Sequence, residues 1–330
     1  MVKVGIIGFG FIGRMHLATL RAGGLAEVVA VADGDASRLA RSGAGDGNIA
    51  IEGDTSLVDV ETFEDPNKLL DSENVEAVIL GVPTYLHKSY ILKSIEAGKH
   101  ILCEKPMVLD ANEGCEVIAA LEGYDRVFMV AHCIRFWPAY VKAYELVREQ
   151  IYGHVLSAHF VRNSPKPLWA WDNWLLDEQR SGGAILDLHI HDVDYVNYLL
   201  GKPTEIAAAG IREGKEGIGQ IVALYTYADG PVVSLDGGWA HQPTFPFRMT
   251  FRISLEEATL ESDGAALHVH TASGEHLVPE LLPGDGYSRE QEYFFACIRD
   301  GKTPAIVTVQ SSLEAIALVE EEKAAIGRSG

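Results

Sequence analysis

Cysteine is scarce and poorly placed for cross-linking. The four in 330 residues, Cys103, Cys115, Cys133 and Cys297, include no C-x-x-C pair, so neither a structural zinc site nor a disulfide framework is expected. Long apolar runs are missing: none reaches the roughly 20 residues of a membrane-spanning helix. Positive charge is in deficit, with 27 Lys and Arg against 47 Asp and Glu and a net charge of −20. A chain without a basic footprint neither neutralises a phosphate backbone nor holds an anionic membrane. Nucleic acid and membrane are therefore excluded as expected partners. The first apolar run begins at Val2, which leaves no room for a signal peptide before it. With reduced thiols, this points to the cytoplasm. No internal repeat or low-complexity tract is present.

Glycine, by contrast, is plentiful, and its first cluster organises the chain. Val4, Ile6 and Ile7 form an apolar, β-branched run that breaks at Gly8-Phe9-Gly10-Phe11-Ile12-Gly13, a G-x-G-x-x-G. Gly8 allows the tight turn, Gly10 lets backbone approach a diphosphate, and Gly13 lets the next helix pack close to the strand. That helix runs through Arg14, His16, Leu17 and Leu20 and ends near Gly23-Gly24. A second strand, Glu27 to Ala32, ends at Asp33, twenty residues past Gly13. A carboxylate there accepts hydrogen bonds from an adenosine ribose 2′-OH and repels a 2′-phosphate. NAD is the expected cofactor and NADP the less favoured one. Ser37 and Arg38 follow closely, and Arg38 is read as a solvated helix position.

At 330 residues the chain accommodates two domains. Residues 1–132 alternate strand and helix signals, as in a doubly wound parallel sheet. Ser42 to Asn48 reads as loop and Pro66 to Leu70 as a helix start. Val75 to Val82 reads as a buried strand closed by Pro83, with Thr84 capping a helix from Tyr85 to Ala97. His100 to Cys103 is a further strand, Asn112 to Leu121 a helix, and Val127 to His132 a sixth strand. From 133 to 330 the pattern changes. A helix at Tyr140 to Gln150 is followed by alternating strands at Val155–Val161, Ile206–Gly210, Ile221–Tyr227, Val232–Trp239 and Phe247–Ile253. A helix at Gly183 to Leu200 precedes most of them, and one at Gln310 to Ile326 closes the chain. This second domain is expected to hold a large, mostly antiparallel open sheet. Its uncovered face implies a homodimer or homotetramer.

Two stretches outside the glycine loop carry chemistry. Glu104-Lys105-Pro106 follows a parallel strand at its carboxyl end, where such folds bind ligands. Lys105 is therefore expected in the cofactor crevice, and Pro106 in a special turn. Ser181-Gly182-Gly183 leads into a helix carrying Asp187, His189, His191, Asp192 and Asp194. Asp187 and His191, four apart, share a helix face, so the carboxylate can orient the imidazole as a general base. Asp194 lies on the same side, and the three side chains are also possible metal ligands, although no cysteine or histidine motif supports a metal. No metal is expected. Trp169, Trp171 and Trp174, with Pro165 and Pro167, precede the glycines; they either offer aromatic faces for a sugar ring or serve as core or subunit contacts. Asn163, Lys166, Arg135, Asp172 and His241 are candidate polar contacts to a polyol.

The chain resembles the glucose–fructose oxidoreductase / inositol dehydrogenase (Gfo/Idh/MocA) family. The resemblance rests on G-F-G-F-I-G, Val82-Pro83-Thr84 with His87, Glu104-Lys105-Pro106, Arg135-Phe136, and Gly182-Gly183-Ala184 leading to Asp187 and His191, in family order over nearly the whole chain. It implies an NAD-dependent oxidoreductase acting on a sugar or cyclitol secondary alcohol. The glycine loop, Asp33, Val82, Pro83, Thr84, His87, Glu104 and Lys105 would line the cofactor. Lys105 would hydrogen-bond the reacting hydroxyl, with Asp187 and His191 as the acid/base pair. His132 stands where the family has asparagine. Two other activities fit the same residues: a redox glycosidase that borrows NAD transiently, and a non-catalytic NAD-sensing regulator.

Overall fold

In the computed structural model, which describes residues 1–40, 47, 50–228 and 230–328, the chain divides into two compact units. The first comprises Met1–Cys133, Trp169–Trp171 and Tyr287–Leu313; the second comprises Ile134–Leu168, Asp172–Gly286 and Glu314–Gly330. A single cut at residue 132 misses two later segments that cluster with the first unit.

In the first unit the strands are β1 (Lys3–Ile7), β2 (Glu27–Ala32), β3 (Glu61–Phe63), β4 (Ala77–Leu80), β5 (His100–Glu104) and β6 (Phe128–Ala131). The helices between them are α1 (Phe11–Gly23), α2 (Ala36–Ala40), α3 (Pro66–Leu70), α4 (His87–Glu96) and α5 (Ala111–Ala120). All six strands are parallel, in the order β3-β2-β1-β4-β5-β6. The order reverses between β1 and β4, the place where doubly wound sheets open a ligand crevice. The central strands are apolar on both faces because helices cover both: Val4, Ile6, Ile7 and all of Ala77–Leu80 have no exposed surface.

Local chemistry sets the element ends. Gly24 closes α1 in the left-handed region, at φ 57°. Asp65 caps α3 by accepting the Asn67 N–H, with Pro66 in the first turn, and Asp110 caps α5 by accepting the Glu113 N–H. Thr84 is not the expected cap. The Leu86 N–H bonds the Pro83 carbonyl at 2.9 Å, which winds Thr84–Leu86 into a 3₁₀ turn, and α4 starts only at His87. Of the loop expected at 42–48, all but Gly47 lies outside the described residues.

The second unit holds α6 (Pro138–Arg148), β7 (Val155–Pro165), α7 (Glu178–Ser181), α8 (Ile190–Leu200), β8 (Glu205–Arg212), β9 (Ile218–Thr226), β10 (Val232–His241), β11 (Arg248–Leu255), β12 (Ala258–Ser262), β13 (Leu267–Thr271) and β14 (His276–Leu277). Beyond them, α9 (Gly286–Asp300) belongs almost wholly to the first unit, and α10 (Val309–Arg328) mostly to the second. The eight strands form one sheet, β14-β13-β12-β11-β7-β10-β9-β8. Only the β7–β10 pair is parallel.

Side chains alternate across this sheet. Phe160, Tyr225, Leu235 and Phe251 are buried on one face, which packs on α8 and α6. Ile211, Val222, Leu224 and Val232 lie 42–60% exposed.

Candidate active site

On the first unit, the residues marked out by sequence collect at the carboxyl ends of β1, β2, β4 and β5. Gly8 has φ +91°, and a Cβ there would sit 2.6 Å from the Gly81 backbone. At Gly13 a Cβ would meet the Gly8 carbonyl oxygen at 2.0 Å. Both positions require glycine, so that the loop can lie against the β4 end and α1 against the loop. At Gly10 the nearest atom to a Cβ is Arg38 Nη1, 3.4 Å away, so this side of the loop is roomy. Gly10 is also the N-cap of α1 and supplies no side-chain acceptor to its first turn. The amides and dipole at the start of α1 therefore favour an anion. These features fit the diphosphate of a dinucleotide.

Asp33 is buried and already placed by the loop. Its Oδ2 accepts the Phe9 N–H at 2.7 Å, and its Oδ1 accepts the Asp35 N–H at 2.9 Å. Arg38 is not a solvated helix position. Its Nη1 lies 3.4 Å from Asp33 Oδ2, its carbonyl accepts Arg14 Nη2 at 2.6 Å, and its guanidinium lies 5.2 Å from the Trp171 ring centroid. Attraction to the buried carboxylate folds the side chain back over the loop.

Two hydrogen-bonded supports hold the Glu104-Lys105-Pro106 turn, in which the Lys105–Pro106 bond is cis. The buried His87 ring bridges the Val82 carbonyl, at 2.9 Å from Nε2, and the Pro106 carbonyl, at 2.7 Å from Nδ1. Burial pushes the His87 pKa down, outweighing the two carbonyls that favour the charged ring. The second support escaped sequence reasoning. Gln291 on α9 donates Nε2–H to His16 Nδ1 at 2.7 Å. With Nδ1 accepting, His16 Nε2–H donates to Glu104 Oε1 at 2.9 Å, and Glu104 Oε2 accepts the Lys105 N–H at 3.1 Å. Burial pushes the Glu104 carboxyl up, but the hydrogen bond from His16 and the Lys105 charge outweigh it and hold it below the usual range. His16, Glu104 and Glu290 place one potential ligand atom each within 4.8 Å of one another, all buried. Both His16 nitrogens are engaged in hydrogen bonds, which makes this cluster a brace for the turn. His132 is buried at the end of β6.

The second unit contributes Asp187 and His191. Gly182 and Gly183, at φ +79° and +75°, lead into a π-helical turn, Ile185–His189, before α8. The expected helical stretch Gly183–Leu200 is therefore present, with a π turn around Asp187 in place of a regular α turn. Such turns recur at functional sites.

The titratable groups around them are committed elsewhere. Asp194 is not a third member of the set. It is buried and paired with Arg135, Nη2 to Oδ1 at 2.6 Å, which removes it from the alternative metal set. Asp192 pairs with Arg162 at 2.7 Å and His189 with Glu322 at 3.1 Å, all buried. Asp187 and His191 alone among these five remain partly exposed.

The other candidate polar contacts are largely spent. Lys166 is held by Glu213 and Glu216 at 2.9 and 2.8 Å, and Asp172 by Arg180 at 2.9 Å. Asn163 accepts from Gln220 at 2.9 Å, and His241 stacks on Phe245 at 4.3 Å. Trp169 and Trp171 belong to the first unit, and Trp174 to the second.

Comparison with known proteins agrees with this architecture. Residues 2–132 match the model of the GFO/IDH/MocA oxidoreductase family, NAD-binding Rossmann fold, and residues 140–261 match its C-terminal domain. The chain is 34% identical to a 2,7-anhydro-N-acetylneuraminate hydratase of Mediterraneibacter gnavus, over 46% of this chain and 40% of the relative. It is 25% identical to a scyllo-inositol 2-dehydrogenase (NAD⁺) of Bacillus subtilis, over 94% of this chain and 90% of the relative. The matches span 40% to 59% of the length of the first four curated relatives. Among solved structures, levoglucosan dehydrogenase in complex with NADH and levoglucosan superposes with a TM-score of 0.83 at 20% identity, covering 100% of this chain and 98% of that one. The glycine loop, the six-stranded parallel sheet and the two matched domains together place this chain in the GFO/IDH/MocA family of NAD-binding oxidoreductases.

Proposed function

We propose that the protein is an NAD-dependent dehydrogenase that oxidises a secondary alcohol of a sugar or cyclitol. The observation that carries this reading is selective exposure. In a stretch where His189, Asp192 and Asp194 are buried and ion-paired, Asp187 and His191 stay accessible. In this reading the Lys105 ammonium hydrogen-bonds the reacting hydroxyl and stabilises the negative charge that grows on its oxygen. His191, oriented by Asp187, takes the hydroxyl proton. The bound nicotinamide supplies one thing, acceptance of hydride from the same carbon. Asp33 holds the adenosine ribose by its 2′-OH and favours NAD over NADP. The inositol dehydrogenase and levoglucosan dehydrogenase matches support the substrate class.

A homo-oligomer belongs to the same reading, because Ile211, Val222, Leu224 and Val232 expose an apolar sheet face. So does the cytoplasm, which supplies NAD and suits a chain in which no disulfide links the four cysteines. No helix among the described residues is long and apolar enough to cross a membrane.

The match to a hydratase favours a second reading, in which hydride returns to the substrate within one turnover. One experiment separates the two. Purified protein is mixed with NAD or NADP and a panel of inositols, aldoses, sugar acids, anhydrosugars and glycosides. Absorbance at the reduced-nicotinamide band and sugar products are followed together. Reduced nicotinamide accumulating with a polyol establishes the dehydrogenase. Sugar conversion at constant absorbance establishes the second reading. Absence of both, with NADH still bound, overturns each in favour of a sensor.

A further inference from the structure

The tripeptide Trp169-Ala170-Trp171 is far in sequence from the parallel sheet, yet it clusters with the dinucleotide-binding unit. Its two indoles meet the glycine loop at two points. Trp169 lies against Phe11, the first residue of α1, with ring centroids 5.5 Å apart and planes at 55°. Trp171 lies under the Arg38 guanidinium at 5.2 Å. Arg38 in turn reaches Asp33 Oδ2 at 3.4 Å, and its Nη1 is the atom nearest to the open side of Gly10. The tripeptide therefore touches the loop where the diphosphate enters α1, and touches it again, through Arg38, beside the ribose-binding carboxylate.

Trp171 is nonetheless 48% exposed. A half-exposed indole stacked on a cation, beside a carboxylate placed for a ribose, is a flat surface suited to a flat ligand. The adenine ring is the part of the cofactor that lies beyond the ribose held by Asp33. Its π face stacks on indole and on guanidinium without needing a specific hydrogen bond.

We propose that Trp169-Ala170-Trp171 is a strap over the adenosine half of the cofactor, with Trp171 and Arg38 forming the stacking surface for adenine. This replaces the sequence-based reading of Trp169 and Trp171 as a sugar platform. Substrate contacts would have to come from elsewhere. The strap slows cofactor departure by holding the end of the molecule remote from the chemistry. The inference rests on the dinucleotide site, and not on which alcohol is oxidised.

The test uses the full chain and ADP-ribose, which contains adenine, both riboses and the diphosphate but no nicotinamide. Calorimetric titration is carried out on the wild type, Trp171→Ala and Trp171→Phe. Trp171→Ala is expected to weaken ADP-ribose and NADH by the same factor, about 5- to 100-fold as for loss of one base–aromatic stack. Trp171→Phe is expected to recover most of that loss. ADP-ribose should quench tryptophan fluorescence in the wild type, and the quench should shrink in Trp171→Phe. Equal ADP-ribose affinity in the wild type and Trp171→Ala overturns the strap. So does a defect confined to the KM for a sugar, which would return the tryptophans to the substrate. If the wild type bound no ADP-ribose, the dinucleotide reading would fall together with the strap.

Discussion

Arg135 grips Asp194 at two points, Nε to Oδ2 at 2.9 Å and Nη2 to Oδ1 at 2.6 Å, with both side chains 1% exposed. The pair ties the turn after β6 to α8, the helix that carries His191. Fork-to-fork geometry fixes both groups in angle as well as distance. Removing one partner would strand a buried charge, at a cost of about 3–5 kcal/mol. Asp194→Ala is therefore expected to lower the denaturant midpoint by that equivalent, and the Arg135→Met, Asp194→Leu double variant to recover part of the loss. Equilibrium unfolding by fluorescence checks both. An unchanged midpoint in Asp194→Ala would mean the pair contributes no net stability.

Lys105→Ala and His191→Ala should each lower turnover by about 10²- to 10⁴-fold, the usual worth of a general acid–base group, while NADH binding persists. Steady-state rates and NADH titration on the same samples separate chemistry from binding. Full turnover in His191→Ala would remove it from the role of base.

Besides its proposed role at the ribose, Asp33 supports the loop, because it accepts the Phe9 N–H. Asp33→Asn keeps an acceptor for that amide and removes the charge. It should shift the NAD/NADP ratio of kcat/KM toward NADP by roughly 10- to 100-fold, the worth of a hydrogen bond to a charged group. A ratio equal to that of the wild type would show that preference is set elsewhere.

His189 introduces a pH dependence into the second unit. Burial pushes its pKa down, but the Glu322 charge and hydrogen bond, with help from Asp192, outweigh burial and the opposing Arg162, so the pKa is raised. Tyr225 completes the cluster, donating its hydroxyl to Glu322 at 2.8 Å. A raised histidine pKa stabilises the fold fully below the unfolded-state value, about 6.5, and that contribution fades as pH rises through the folded value. The stability gap between the wild type and His189→Gln should therefore be widest on the acid side and narrow toward alkaline pH. Unfolding free energies across that range measure it, and a gap that widened with pH would reverse the sign of the argument.

Val222 and Leu224, on the open face of β9, are 52% and 42% exposed. If that face joins copies of the chain, Val222→Asp with Leu224→Asp should reduce the mass seen by light scattering to that of a single chain. The fold and NADH binding should be unaffected. A wild type that is already monomeric would refute the oligomer.

Residues that act on close sequence neighbours were legible without the structure. Gly8, Gly10 and Gly13 work within one turn of each other, and the run from β1 through α1 to Asp33 reads directly because strand, turn and helix signals are local. The same holds for Pro66 at the start of α3 and for the glycines before Asp187. Thr84 misled because a following Pro83-bonded turn competed with capping, a contest that propensity alone does not decide. The helical stretch expected at 183–200 is present, but two left-handed glycines open it and its second turn is π rather than α, a local variation that periodicity does not mark.

The sequence by itself determined the two-domain class, the dinucleotide loop, the place of Asp33 at the end of the second strand and the two stretches that carry the proposed chemistry, since each depends on residue type at short spacing. Only the tertiary structure decided which charged groups are spent and which are offered. Arg135 meets Asp194 across 59 residues, His16 meets Gln291 across 275, and His189 meets Glu322 across 133. The fold likewise brought Arg38 onto Asp33 and Trp171 onto Arg38, beside the glycine loop. Pairings over such separations are chosen by packing and by the cost of burying an unmatched charge, neither of which leaves a periodic mark on the chain.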